Sequence, residues 1–426
     1  MFRKIINSSL LSDSAVYLFS NILAASIPFA LLPILTRYLT PAEYGQVAIF
    51  QTLLAGLGAF IGISAQGIAG VKYYDGQLSK LEKKYFMGNC LLVLAATTAF
   101  TLLLVVIFGQ ALSDWIALDT KWLMLGVFVA TAAFVATIRM GQWQVRKQAK
   151  KYGVFQVSQG LINMLLSLVV VVYFLKGAVG RIWVSSITLM VYAVLALFLL
   201  YKDDLIGFAW RPSYLREIFA FGLPLMPHTI GNFLLLSIDR FVINDQLGLA
   251  QVGIYIVAVQ LASIIGLMNE SIHNAYVPWL YERLRRNGFE EKKQIVQWTY
   301  VYFIALLGIV LLAFTIGPLL LKIIAGARYS EASNIIGWVV LGHAFSGMYL
   351  MLTAYIFYSK RTGLLSLSTM TSGLVNVGLL IFLIPLMGLI GAAVAFAIYM
   401  AIKFLLTWHI ANLRHPMPWF PFRAAD

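Results

Sequence analysis

Residues 362–402 read TGLLSLSTMTSGLVNVGLLIFLIPLMGLIGAAVAFAIYMAI, a run without one charged side chain. A bilayer core about 30 Å thick is crossed by about 20 apolar residues in a helix. The run is too long for one crossing, and Pro385 and Gly388 mark a turn inside it. It therefore reads as two membrane spans, 364–384 and 389–406.

The rest of the chain obeys the same reading. Its 426 residues are 61% hydrophobic and only 11% charged, against roughly 25% charged in soluble domains. So little charge cannot cover a water-facing surface. Gaps between charges mark ten further spans: 14–35, 44–69, 87–108, 122–138, 155–175, 182–201, 218–243, 252–277, 295–320 and 334–358. Twelve spans put both termini on one side. Of 31 Lys and Arg residues, 24 fall on the side that holds Arg3 and Lys4, and 7 on the other. Positive charge concentrates in cytoplasmic loops, so a multi-pass plasma (inner) membrane protein with both termini cytoplasmic is expected. Arg3 and Lys4 before the apolar segment from Ala15 read as an uncleaved signal anchor. The net charge of +14 is then a matter of topology, and no nucleic-acid partner is implied. Cys90 is the single cysteine, which excludes an intrachain disulfide or a zinc cluster.

The two halves repeat. Gly160-Leu-Ile-Asn163 recurs as Gly373-Leu-Val-Asn376, an offset of 213, and Gly177-Ala-Val-Gly180 as Gly388-Leu-Ile-Gly391, an offset of 211. Leu39 through Gly45 parallels Leu247 through Gly253, an offset of 208. The expected fold is all-α, with about twelve transmembrane helices in two pseudo-symmetric six-helix lobes around a central cavity. The lobes are 1–201 and 218–410, with a cytoplasmic linker 202–217 and a cytoplasmic tail 411–426. Parallel repeats of this kind suit a transporter that rocks one lobe against the other. Segment 279–293, with Trp279, Leu280 and Tyr281 beside Arg283, Arg285 and Arg286, reads as an amphipathic helix on the inner membrane surface.

Polar residues inside spans are costly and mark pathways or partners. His228, Asn232 and Asp239 share one stripe of the seventh span, and Arg240 follows at its outer end. Pro224 and Pro227 should bend that helix. Glu270 lies on a stripe of the eighth span with Ser263 and Asn274, at a depth similar to that of His228. Arg37 should join Asp239 and Arg240 at the outer end. The functional reading makes Arg37, His228, Asn232 and Arg240 binding groups for an anionic head group, since Arg grips phosphate with parallel hydrogen bonds. Glu270 and Asp239 are the coupling-ion candidates. The plainer readings are an interface anchor for Asp239–Arg240, a structural pair for Glu270–His273, packing for His343, and interhelical glue for Asn163 and Asn376. Asp203 and Asp204 read as a solvated loop. Neither a phosphate loop, a His-Glu-x-x-His nor a Gly-x-Ser-x-Gly motif occurs, so no catalytic residue, resident metal or enzymatic activity is expected.

The run Leu35-Thr-Arg-Tyr-Leu-Thr-Pro-Ala-Glu-Tyr-Gly45 resembles the end of the first helix of Wzx-type polysaccharide flippases. Gly222-Leu-Pro-Leu-Met-Pro-His228, Asp239-Arg240, Val252-Gly-Ile-Tyr255, Pro278-Trp-Leu-Tyr281, and Asn376 leading to Ile384–Gly388 and Gly391–Ala393 extend the resemblance along the whole chain. It implies the multidrug/oligosaccharidyl-lipid/polysaccharide exporter fold. It also implies translocation of undecaprenyl-diphosphate-linked oligosaccharide from the cytoplasmic to the outer leaflet by alternating access, for O-antigen, capsule or exopolysaccharide. Implied partners are glycosyltransferases, a glycan polymerase, a chain-length regulator and membrane lipids. A proton or sodium gradient, and no bound cofactor, would drive turnover. Arg37 and Arg240 match recurring basic positions of the family's first and seventh helices. The alternatives are an ion-coupled multidrug-type efflux antiporter or a lipid II flippase of the same fold. A membrane polymerase or ligase would need a large external catalytic loop, which the sequence lacks.

Overall fold

A computed structural model describes residues 9–76, 78–286, 288–359 and 363–419. Arg3, Lys4, Lys360, Arg361 and the last part of the expected tail lie outside the described residues. The described chain is helical and divides into two compact units, Met1–Phe233 and Leu234–Asp426. The division falls within the seventh span rather than in the polar segment 202–217. That segment is tied into the first unit instead: Gly207 N–H donates to Lys84 O at 3.1 Å, and Asn89 Nδ2 donates to Ala209 O at 2.8 Å.

The first unit holds α1 (Ser9–Tyr38), α2 (Pro41–Phe60), α3 (Ala65–Tyr73), α4 (Lys80–Ile116), α5 (Thr120–Val145), α6 (Ala149–Leu168) and α7 (Gly177–Lys202). A π turn, Val169–Tyr173, extends α6. Most of α8 (Pro212–Leu236) follows. Two helices start with reciprocal capping boxes, which satisfy peptide N–H groups left open by the first turn. Thr40 N–H donates to Glu43 Oε2 at 2.8 Å and Ser79 N–H to Glu82 Oε2 at 2.8 Å, with each hydroxyl accepting in return. The expected span 44–69 is broken: α2 and α3 meet at 55° across Gly62, Ile63 and Ser64, all at positive φ. Gly62 N–H, released by the break, donates to Thr97 Oγ1 at 2.9 Å, as a buried peptide in a membrane requires. Helix α5 is the axis of this unit and packs on α2, α3, α4, α6 and α7.

The second unit holds α9 (Ile238–Leu247), α10 (Leu249–Arg286), α11 (Phe289–Thr315), α12 (Gly317–Ala325), α13 (Ile336–Tyr358), α14 (Gly363–Met387) and α15 (Leu389–Arg414). Its axis is α13, packed on α10, α11 and α15. As the tenth span, α13 is the repeat partner of α5, the fourth. The repeat also holds at the turns. Gly177 and Gly388 both adopt positive φ, +57° and +59°, immediately before or at the start of a long helix.

The twelve expected spans map onto ten helices long and apolar enough to cross a membrane, the bent α2–α3 pair as an eleventh, and the shorter apolar stretch Thr371–Met387. The seventh and ninth spans are also interrupted, at Ser237 and at Ile316. Helix α8 runs continuously through Pro224 and Pro227, so the break falls beyond them. The expected surface helix 279–293 does not form. Helix α10 continues to Arg286 and α11 starts at Phe289, because Leu280 and Leu284, one turn apart, are buried in protein. Arg286 pairs with Glu282 at 2.7 Å and with Glu291 at 3.3 Å across that turn.

Candidate functional site

The break after α8 creates the second unit's polar site. A helix end leaves carbonyls without intrahelical partners. Here Tyr399 Oη donates to Leu235 O at 3.1 Å, and Arg240 Nη1 donates to Leu236 O. The restart at α9 places Asp239 in a helical first turn, where the partial positive charge favours a carboxylate. Asp239 Oδ1 accepts from Arg240 Nη1 at 3.1 Å and from Arg240 N–H at 2.9 Å, while Oδ2 accepts from Tyr255 Oη at 2.7 Å. The side chains of Asp239 and Arg240 are 15% and 14% exposed, so the pair is largely withdrawn from the surface. It faces a cavity of about 230 Å³ that Tyr255, His343, Asn376, Ala392 and Tyr399 also line. His343 packs its ring on Phe396, and its buried Nε2 has no hydrogen-bond partner among the described residues. Its carbonyl accepts from Asn269 Nδ2 at 2.8 Å.

The first unit handles its buried charges differently. Arg181 is buried, and its Nη1 donates to Asn163 Oδ1 at 2.6 Å and to Ser167 Oγ at 2.7 Å. Arg139 is buried on α5, lies over the Trp143 ring at 4.2 Å, and pairs with Asp203. Asp204 pairs with Lys84. Asp203 and Asp204 are exposed, as expected of a solvated loop, and each also pairs with a cation of the first unit. Arg139 and Lys403, counted above with the inner loops, are buried helix residues. Lys403 is in the second unit and sits over the Tyr349 ring at 4.1 Å.

Of the sequence-derived site residues, Asp239 and Arg240 come together with partners and a cavity. His228 and Asn232 meet on one face of α8, Nε2 to Nδ2 at 3.1 Å, in the first unit. Arg37, in the last turn of α1, and Glu270, on α10, are exposed, and neither has an ion-pair partner among the described residues. Glu270 makes no hydrogen bond to His273, whose buried Nδ1 has no partner among the described residues. Tyr255 and Tyr399 escaped the sequence reading as site residues because no spacing links them to Asp239. His343 read only as packing, and Asn376 only as interhelical glue. The repeat that pairs Asn376 with Asn163 was the available signal. Among the described residues, no group of three or more His, Cys, Asp or Glu side chains could hold a metal ion.

A polar pair inside an apolar helical unit, beside a cavity, marks a functional position in a membrane protein. The sequence model of the polysaccharide biosynthesis protein family matches residues 10–283, more than half the chain. This chain belongs to that family. It is a Wzx-type polysaccharide flippase, as its motifs implied, and a multi-pass membrane protein. Among its relatives, an uncharacterized membrane protein of Haemophilus influenzae is 25% identical over 376 residues, covering 87% of this chain and 90% of the relative. A putative O-antigen transporter of Shigella flexneri is 20% identical, covering 93% and 96%. The inward closed conformation of the lipid II flippase MurJ shares the fold, with a TM-score of 0.73, 16% identity, and coverage of 94% and 87%.

Proposed function

We infer that this flippase carries an undecaprenyl-diphosphate-linked oligosaccharide from the cytoplasmic to the outer leaflet of the plasma membrane, by alternating exposure to the two faces. It serves surface polysaccharide assembly beside glycosyltransferases, a glycan polymerase and a chain-length regulator. The observation that supports this best is the Asp239–Arg240 pair held at a helix break beside a cavity within an apolar unit. A guanidinium has five N–H donors. Bonds to Asp239 and Leu236 leave Arg240 donors for a diphosphate, and Arg37 has no carboxylate partner among the described residues. His228 and Asn232 supply polar contacts to the sugar-phosphate cargo.

A proton or sodium gradient drives the cycle, with Asp239 as the ion-binding carboxylate. The Tyr255 hydroxyl and the Asn376 side chain on the same cavity are neutral ligands of the kind that would complete such a site. Glu270 is the second coupling candidate, as an exposed carboxylate without a cation partner among the described residues. Both termini face the cytoplasm.

The test is surface glycan display in a cell dependent on this chain. Arg37→Ala and Arg240→Ala should each lower display while leaving membrane insertion intact. Undiminished glycan in both variants would overturn the cargo assignment. Glu270→Gln should change gradient dependence in reconstituted vesicles, and an unaltered dependence would remove Glu270.

A further inference from the structure

A second cavity, about 910 Å³, lies wholly in the first unit, where the end of α3, the start of α4, the end of α5 and the residues after α7 meet. These ends lie on the side that positive charge assigns to the cytoplasm. The lining includes Lys72, Lys80, Lys83, Lys84 and Arg146 against Asp75, Asp203 and Asp204. The carboxylates are already engaged. Asp75 holds Lys72 at 3.3 Å, Asp204 holds Lys84, and Asp203 holds the buried Arg139 from outside the lining. Lys72 also takes Glu217 at 2.7 Å.

Three cations remain without a carboxylate among the described residues. Lys83 Nζ donates only to Tyr73 O, at 2.8 Å. Arg146 sits 4.9 Å from the Tyr73 ring centre, with its Nε buried and unpartnered. Lys80, at the start of α4, is exposed. Lys83 lies 5.8 Å from the centre of the same Tyr73 ring, so the ring holds two uncompensated cations together.

Apolar side chains are exposed on the segments that form this cavity. Val71, Tyr74 and Leu81 are exposed beside the cations, and Phe208 and Trp210 are exposed on the segment that follows α7. Tyr74 is fixed there by its hydroxyl, which donates to Val145 O at 3.0 Å. Aromatic side chains of this kind settle at the membrane–water interface. A soluble anion would satisfy the cations but leave these apolar side chains uncovered. A lipid satisfies both, with phosphate oxygens on the cations and acyl chains on the apolar side chains.

We propose that this cavity is a binding site for the phosphate headgroup of an anionic phospholipid of the surrounding leaflet, held by Lys83, Arg146 and Lys80. The site is separate from Asp239, Arg240 and the other groups assigned to cargo. It couples the first unit to the lipid composition of the membrane. It does not depend on what cargo is carried, and its test uses no cargo.

Full-length protein, reconstituted in phosphatidylcholine discs with increasing phosphatidylglycerol, is assayed for retained lipid by native mass spectrometry and for melting temperature. Wild-type protein should retain phosphatidylglycerol and melt higher as its fraction rises. Lys83→Gln with Arg146→Gln should weaken retention about 30-fold, and Lys80→Glu alone about 5-fold or more, from the strength of one cation at a lipid surface. Lys80→Glu keeps the fold, because a carboxylate suits a helix start; it therefore decides the matter if the double variant does not fold. Inorganic phosphate forms a separate arm, in phosphatidylcholine alone. Stabilisation by phosphate equal to that by phosphatidylglycerol would overturn the lipid assignment, as would retention unchanged in Lys80→Glu and in a folded double variant.

Discussion

Equivalent positions of the two units carry opposite solutions to one problem. Four residues after Gly177 stands Arg181, whose guanidinium is held by Asn163 and Ser167. Four residues after Gly388 stands Ala392, and it lines the open cavity with Asn376 and Leu380, the repeat partners of Asn163 and Ser167. The reverse holds on the helix opposite. Leu31 and Leu32 are buried in α1 where the offset of 208 places Asp239 and Arg240 in the second unit. The first unit thus carries a buried cation of its own, held at Nη1 by neutral oxygens. The second has lost that cation and gained a carboxylate beside empty space. A guanidinium packed among its hydrogen-bond partners is a scaffold group, and a carboxylate beside open space can respond to an ion.

The sharpest way to break this comparison is Ala392→Arg, which offers the second unit the guanidinium of the first. Coupling between sites amounts to about 5- to 150-fold, and gradient-driven glycan transport in vesicles should fall towards the upper end of that range. Transport at the wild-type rate would show that the open cavity has no part in coupling. Asp203→Asn tests the claim that the first unit depends on internal neutralisation. Breaking a fully buried pair is destabilising by about 3–5 kcal/mol. Asp203 keeps 36% of its side chain exposed, so solvent screening reduces the expectation to about 2–3 kcal/mol. Denaturant or thermal unfolding in detergent measures it, and an unchanged midpoint would show that Arg139 has no need of its partner.

Tyr255→Phe removes one donor to the Asp239 carboxylate. Such a bond to a charged group contributes about 1.5 kcal/mol, roughly tenfold in an equilibrium. The ion concentration for half-maximal transport should move by about that factor; a fixed value would mean that Tyr255 only packs. The smallest effect is at His415, just beyond α15, where the residues after the helix fold back so that Tyr300 Oη donates to Trp419 O at 2.6 Å. Burial, and then the nearby Lys292, hold the His415 imidazole below its ordinary 6.5. The unfolded chain takes up this proton before the folded chain does, so stability should fall as pH drops through 6.5 towards the folded value. His415→Gln should melt with a shallower dependence between pH 7 and 5; an identical slope would assign the acid sensitivity elsewhere.

The membrane class, the helical architecture and the repeat were legible because each rests on composition or on matched turns. Gly177 and Gly388 show it best, since a positive φ is a local demand that the sequence must meet with glycine or incur strain. The pairing of Asp239 with Arg240 was legible as well, because neighbours in sequence stay neighbours in space. The helix interruptions at 62–64, 237 and 316 were not. Apolar composition continues across them, and only tertiary partners such as Thr97 and Tyr399 make a broken backbone tolerable in an apolar medium.

Sequence alone determined that this chain spans a membrane in two related halves, because the energy of placing apolar or charged groups in lipid is fixed residue by residue. Tertiary structure alone decided which polar groups are satisfied and which stay open. That Asp203 meets Arg139, 64 positions earlier, or that Ala392 leaves room where Arg181 fills it, depends on contacts between helices distant in sequence. No local energy term encodes them.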